Sequence, residues 1–385
     1  MLRSIWMHAW DLTSGKHEEL IAALRDCGLN ACNLAFSYHG GRMFLPRHPR
    51  RKVYEQDLSA VYFPIDEPRY RGLRWQPHAA REAALVREFL AVAQQADFPV
   101  HAWTVLCHND RLGLAAPDCC ITNVFGERYS YALCPAHPDV RAYLAALCGD
   151  LAAQSGVASL DLEALSFMGF EHQSLHDKTG VPLTPLIKWL LSICLCSACR
   201  TGLGPIADEI AEKARARITD YARNWPAHPA DRDLSEELFQ VFGADRLNAL
   251  LAARRCTLTT LLDEIRSASG QTPLNVRLAT SPLFCGGKAV LDWSDLTRRA
   301  DAATITFFGA TPAQMETELK RLPPRAARQM SVYGGAMFHH PDCASAADVR
   351  TRIDLLREHE LDGQIFYCLG MATATHLDWL KQALR

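Results

Sequence analysis

A (β/α)8 barrel, the TIM-barrel form of the α/β class, is the fold this sequence predicts, and three observations carry that prediction. Eight short apolar runs rich in β-branched and aromatic residues recur along the chain. Helical patterns fill most of the gaps between them, as expected for parallel strands joined by crossover helices. The chain, at 385 residues, is long enough to close eight such units with insertions. A doubly wound open sheet would call for a glycine-rich turn after the first strand. The segment Trp10-Asp11-Leu12-Thr13-Ser14-Gly15 is not G-x-G-x-x-G.

The expected strands are Ser4–Leu12, Leu29–Ser37, Phe98–Cys107, Val157–Leu165, Pro273–Thr280, Ala302–Phe308, Met330–Phe338 and Gly363–Leu369. The first helix, Lys16–Cys27, turns Leu20, Ile21 and Leu24 to one side and stops at Gly28. His78–Gln95, Pro138–Ala153, Ser345–His359 and His376–Leu384 read likewise. Two gaps are oversized. Residues 38–97 hold a basic run (Arg47, Arg50, Arg51, Lys52) and Trp75, and residues 166–272 are mostly helical. Both are expected as insertions at the C-terminal rim of a single barrel domain spanning 1–385, where barrel loops build sites.

Composition narrows the function. With 49% hydrophobic and 22% charged residues and a formal net charge of −2, the chain is neither a disordered tail nor a coiled coil. It also lacks the basic balance of a general nucleic-acid binder. The most apolar stretch, Leu186 to Ala198, contains Lys188 and is too short for a spanning helix, so no membrane partner is expected. The start, Met1-Leu2-Arg3-Ser4-Ile5-Trp6, shows no basic segment followed by an apolar one. The 14 cysteines are therefore expected as reduced thiols in a cytoplasmic protein.

Strand alternation then selects candidate chemistry. On the fourth strand Ser159, Asp161 and Glu163 share the inward face. Carboxylates facing inward are costly unless paired or at work, and near the C-terminal end of a barrel strand they read as catalytic. The bland alternative is an ion pair closing the barrel floor. The same parity takes Ala31, Asn33, Ala35 and Ser37 toward His39. It takes Val100, Ala102 and Thr104 toward His108 and Asp110, and Met7 and Ala9 toward Asp11. Arg277 falls between Asn275 and Ala279, and Tyr333 and Tyr367 fall near the ends of the last two strands. These residues are expected to line the mouth and bind substrate. The basic run reads first as a solvated loop; selection of an anionic saccharide, together with Arg277, is the lesser alternative.

Cys194, Cys196 and Cys199 form C-x-C-x-x-C, a spacing that lets thiolates converge on one tetrahedral Zn²⁺. A closed structural site needs a fourth ligand. Cys134, in the loop before the helix that enters the fourth strand, is the choice, with Cys119 and Cys120 as competitors.

The order Tyr131-Ala132-Leu133-Cys134-Pro135-Ala136-His137-Pro138-Asp139-Val140-Arg141, then Ser159-Leu160-Asp161-Leu162-Glu163, then Cys194-x-Cys196-x-x-Cys199 resembles the zinc-containing family 42 β-galactosidases and related hypothetical glycoside hydrolases. The resemblance covers roughly seventy residues well and the remainder only as a barrel pattern. It implies Cys134, Cys194, Cys196 and Cys199 as zinc ligands and Glu163 as general acid/base. Two departures count against carrying the β-galactosidase activity over. The family's Asn before the acid/base is Leu162 here, and Met330–Phe338, where the nucleophilic Glu belongs, holds no carboxylate.

The expected function is saccharide hydrolysis with Glu163 as acid and Asp161, Asp110 or Asp11 as partner, since glycoside cleavage ordinarily uses two carboxyl groups. A non-catalytic carbohydrate-binding barrel is the alternative, supported by the missing Glu and Asn. A metal-dependent lyase or isomerase using His39, His108 and Asp110 is a third reading, with no H-E-x-x-H spacing behind it. A homo-oligomer is left open.

Overall fold

Eight parallel strands, β1 (Leu2–Met7), β2 (Ala31–Tyr38), β3 (Val100–Val105), β4 (Val157–Glu163), β5 (Leu274–Arg277), β6 (Ala302–Thr306), β7 (Ser331–Met337) and β8 (Gly363–Tyr367), pair in sequence order. β1 also pairs with β8, Leu2 opposite Gly363, which closes the sheet into a barrel. The structure, a computed structural model, describes residues 1–172, 178–226 and 232–385. Each strand is shorter than the apolar run that announced it. The run beginning at Ser4 ends as a strand at Met7, and Ala9–Leu12 is a tight helical turn.

The crossover helices form where the 3.6-residue pattern predicts them, at His17–Asp26, Ala83–Gln95, Pro138–Ala152, Ala346–Glu358 and Ala374–Leu384. Side-chain caps start several: the His137 ring accepts from Asp139 N, Ser345 from Asp348 N and Thr373 from His376 N.

Inside the barrel the face pattern inverts the usual one. Polar and aromatic side chains fill the lumen, and the apolar residues Leu160, Leu162 and Val276 alternate outward beneath the helices. Ser4 donates to Asn33, His101 meets Ser159, and Asn275 donates to Thr304, each between neighbouring strands. Trp6 is accommodated because β7 carries Gly335 opposite it. A β-carbon there would lie 2.7 Å from the Trp6 ring.

Between β2 and β3 the chain forms a short hairpin, Arg42–Phe44 with Val53–Glu55, and a two-residue strand, Ala60–Val61, antiparallel to the end of β2. Between β4 and β5 lie the helices Pro185–Leu191, Ser197–Leu203, Ile206–Asn224 and Leu234–Ser269, the last interrupted at Gly243, where φ is 70°. These helices build a core of their own around Ile187, Trp189, Leu190, Ile210, Leu238 and Phe242.

Candidate active site

β4 and β5 are neighbours, with Leu162 opposite Val276, so the inward residues Asp161, Glu163 and Arg277 meet. Two residues apart on a strand is close to 7 Å, a span one guanidinium bridges. Arg277 Nη2 lies 3.4 Å from Asp161 Oδ2, and Nη1 lies 2.6 Å from Glu163 Oε2. The guanidinium packs against two neighbouring indoles, 4.5 Å from the Trp6 ring centre and 4.9 Å from that of Trp103.

The two carboxylates differ in surroundings. Asp161 is fully buried and saturated: Oδ2 accepts from Trp6 Nε1 and Asn33 Nδ2, both at 2.9 Å, and Oδ1 from Asn275 Nδ2 at 3.2 Å. It anchors the arginine, the floor-pairing role weighed as its bland alternative. The Glu163 side chain keeps 20% of its surface. Its Oε2 accepts from Trp103 Nε1 at 2.5 Å as well as from Arg277. Its Oε1 has no hydrogen-bond partner among the described residues and lies toward Gly287. The Ala164 amide donates to Gly287 O at 2.8 Å, which fixes that loop against the end of β4.

Around this centre stand aromatic and imidazole rings. Tyr367 packs on Trp6, Trp103 and Phe308, and hydrogen-bonds Tyr38; burial pushes both phenols up from their ordinary value. His39 stacks on His108 at 4.1 Å, and His108 Nδ1 meets His172 Nε2 at 3.2 Å. His108 Nε2 lies 3.6 Å from Asp110 Oδ2. Burial, then His39 and His172, holds His108 far below the usual histidine range. Burial, then His39, lowers His172 to about 4, with Glu163 opposing.

Not every expected residue reaches this centre. Tyr333 pairs with Gly363, the first residue of β8, and borders a recess with Leu2, His101 and Ser159 at the N-terminal end of the barrel, away from the mouth. Asp11 lies in a separate recess with Thr13, Arg47, His48 and Gly370. Burial raises its carboxyl to about 6 against the His8 amide bond and the Arg47 charge. Arg47 is engaged with the carbonyls of Leu369 and Ala372, and Arg50, Arg51 and Lys52 are exposed.

The inward parity expected for β1 and β3 is off by one residue. Trp6 and Trp103 face the lumen, in place of Met7 and of Ala102 and Thr104. Here the lumen takes the indoles, and Gly335 makes the room. Sequence reasoning missed Trp6, Trp103, His172 and Gly287. The available signal was two tryptophans, each in phase with a polar inward residue two positions before it: Ser4 for Trp6 and His101 for Trp103.

The cysteine cluster converges as its spacing predicts. Cys134 follows the hairpin strand Arg128–Leu133, Cys194 and Cys196 lie on the loop after Pro185–Leu191, and Cys199 is on the first turn of Ser197–Leu203. Cys134 Sγ is 3.5 Å from Cys199, 3.7 Å from Cys194 and 3.5 Å from Cys196. Four sulfurs about 2.3 Å from a tetrahedral ion stand about 3.8 Å apart, so this cluster can hold a metal ion. Cys119 and Cys120 are elsewhere: Cys119 lies by Asp118, His137 and Arg74, and Cys120 donates to Gly113 O.

No family model and no curated protein matches the sequence. Solved structures do. The α-L-fucosidase isoenzyme 2 from Paenibacillus thiaminolyticus matches with a TM-score of 0.57 at 10% identity, over 100% of this chain and 49% of that one. The present chain thus spans about half the length of that relative. The PgaB (BpsB) glycoside hydrolase domain from Bordetella bronchiseptica matches with a TM-score of 0.54 at 13% identity, over 100% and 99% of the two chains. This chain folds as a TIM barrel. Identities this low carry the fold and not the chemistry, and they do not show the resemblance to the family 42 β-galactosidases. Among the described residues no helix is long and apolar enough to cross a membrane.

Proposed function

We propose that the protein is a glycoside hydrolase-like enzyme that binds a saccharide across the barrel mouth and uses Glu163 as its general acid/base. One observation carries this reading. Of the two lumen carboxylates, Glu163 alone keeps exposed surface, and one of its oxygens is held by two donors while the other has no hydrogen-bond partner among the described residues. A carboxyl fixed at Oε2 and available at Oε1 suits directed proton transfer. Half-buried Tyr367 beside it suits the apolar face of a sugar ring. The proposed ion in the Cys134–Cys194–Cys196–Cys199 cluster is structural zinc, tying the Cys120–Leu133 hairpin to the helices that follow β4.

A second reading has an observation of its own. The Arg277 guanidinium already occupies Glu163 Oε2, as a barrel that binds saccharide without cleaving it would tolerate. Purified protein incubated with a panel of oligosaccharides separates the two. Release of new reducing ends supports the hydrolase. Calorimetric binding with no release supports the binding barrel.

A further inference from the structure

The loop that brings Gly287 against the end of β4 leaves a specific gap. A β-carbon built on Gly287 would lie 3.8 Å from Glu163 Oε1 and 3.7 Å from His172 Cε1, with no other atom of the described residues, its chain neighbours aside, within 4 Å. The backbone there is not left-handed, so glycine is not required by conformation. Glycine puts no side chain of its own at that point.

His172 is held to the gap from behind. Its amide donates to Gly169 O at 3.1 Å, and that carbonyl also accepts from the Tyr131 hydroxyl at 3.0 Å. The neighbouring Phe170 amide donates to Ser192 Oγ at 2.9 Å, and Gly169 packs so tightly on Ser192 that a β-carbon would collide with it. The ring itself is oriented by His108 at its Nε2, with Asp110 behind His108 and His39 stacked on it.

We propose that His172 is the second proton-transfer group of the site, facing Glu163 across the gap that Gly287 keeps open, with His108 and Asp110 as positioning residues. The proposal rests on the mouth being a saccharide-cleaving site, and it answers the missing second carboxylate. His172, half-buried and lowered to about 4, takes a proton from an attacking water at Nδ1 while the water oxygen bonds to the anomeric carbon. Glu163 gives the proton on Oε1 to the glycosidic oxygen as its bond to that carbon breaks. Two hydroxyl products form, and the proton on His172 returns to Glu163 through solvent. A single displacement of this kind inverts the anomeric centre.

The test uses phenyl and 2,4-dinitrophenyl glycosides of the common hexoses, with the full chain and its variants. His172→Ala is expected to lose ~10²–10⁴-fold in kcat on both leaving groups, with part of the loss restored by added imidazole. Glu163→Gln is expected to lose as much on the phenyl glycosides and little on the dinitrophenyl ones, whose leaving group needs no proton. Gly287→Ala, which fills the gap, should lower kcat with the fold intact. Asp110→Asn should lower kcat and leave KM unchanged. The product should carry the inverted configuration by proton NMR. Wild-type rates in His172→Ala, or a retained configuration, overturn the role of His172 and leave that of Glu163 standing. No turnover of any probe by the wild-type protein, or phenyl glycoside rates unchanged in Glu163→Gln, overturns the hydrolase reading and this inference with it.

Discussion

Arg277 Nη1 stands 2.6 Å from Glu163 Oε2, and the arginine in that ion pair is 4% exposed while the glutamate keeps 20%. The pair is therefore asymmetric. The cation belongs to the interior, packed against Trp6 and Trp103 and shared with Asp161, and the glutamate belongs to the opening.

Removing the cation should unsettle the whole lumen. Arg277→Met leaves Asp161 buried with only neutral donors, and breaking a buried pair from one side costs about 3–5 kcal/mol. Urea unfolding followed by tryptophan fluorescence measures it. A loss under about 1 kcal/mol would show that Asp161 does not depend on the arginine.

Gly335 should tolerate no side chain. A β-carbon there meets the Trp6 ring at 2.7 Å and Thr306 at 2.9 Å, both inside the closed barrel. Gly335→Ala is expected to cost about 1–3 kcal/mol as overpacking, read as a lowered unfolding midpoint. Gly126→Ala is an ill-suited control because its φ is 86°, whereas Gly202, with nothing within 4 Å, should change little.

The cysteine cluster predicts bound metal. Purified protein should carry about one zinc per chain by elemental analysis, and Cys196→Ser should carry much less and melt at lower temperature. Equal zinc content in the two proteins would remove the cluster as the binding site.

Acid should destabilise the fold between pH 6.5 and 4. Burial above all, then His39, lowers His8 to about 3 and His172 to about 4, and His108 is lowered further. Histidines in the unfolded chain titrate near 6.5, so unfolding takes up protons as pH drops below that value. The stability these three contribute is full above about 6.5 and is lost as pH falls. Asp11, raised to about 6 chiefly by burial, works the other way: its contribution is lost as pH rises toward 6. Asp150 is raised by burial as well, but His101, His339 and His376 are also lowered by it, so the lowered histidines outnumber the raised carboxylates and urea midpoints should decline from pH 7 to pH 4.5. His8→Phe, at a ring stacked 4.3 Å from Trp10 whose nitrogens have no hydrogen-bond partner, should lessen the decline. Flat midpoints would contradict the account.

The barrel was legible in the sequence because its outward faces are continuous apolar runs, and the helices between them keep a clean 3.6-residue period. Cys134, 60 or more residues away from its partners along the chain, was found through motif order, and the structure brings it to them. Asp161, Glu163 and Arg277 were found by alternation, which fixes parity once one inward residue on a strand is known. β1 and β3 offered no such fixed point, so Trp6 and Trp103 were assigned outward. Tyr333 was placed by its position in an apolar run whose ordered strand begins two residues before it, which puts it at the wrong end. His172 lies on a turn whose shape is set by Ser192 and Tyr131, contacts that no local pattern encodes.

The central claim is that Glu163 does chemistry at the barrel mouth. The direct measurement is kcat of Glu163→Gln beside the wild-type protein, on a cleaved saccharide whose leaving group needs a proton, with melting temperatures recorded for both. The account predicts a fall of ~10²–10⁴-fold with the fold retained. A variant that folds and turns over at the wild-type rate would contradict it.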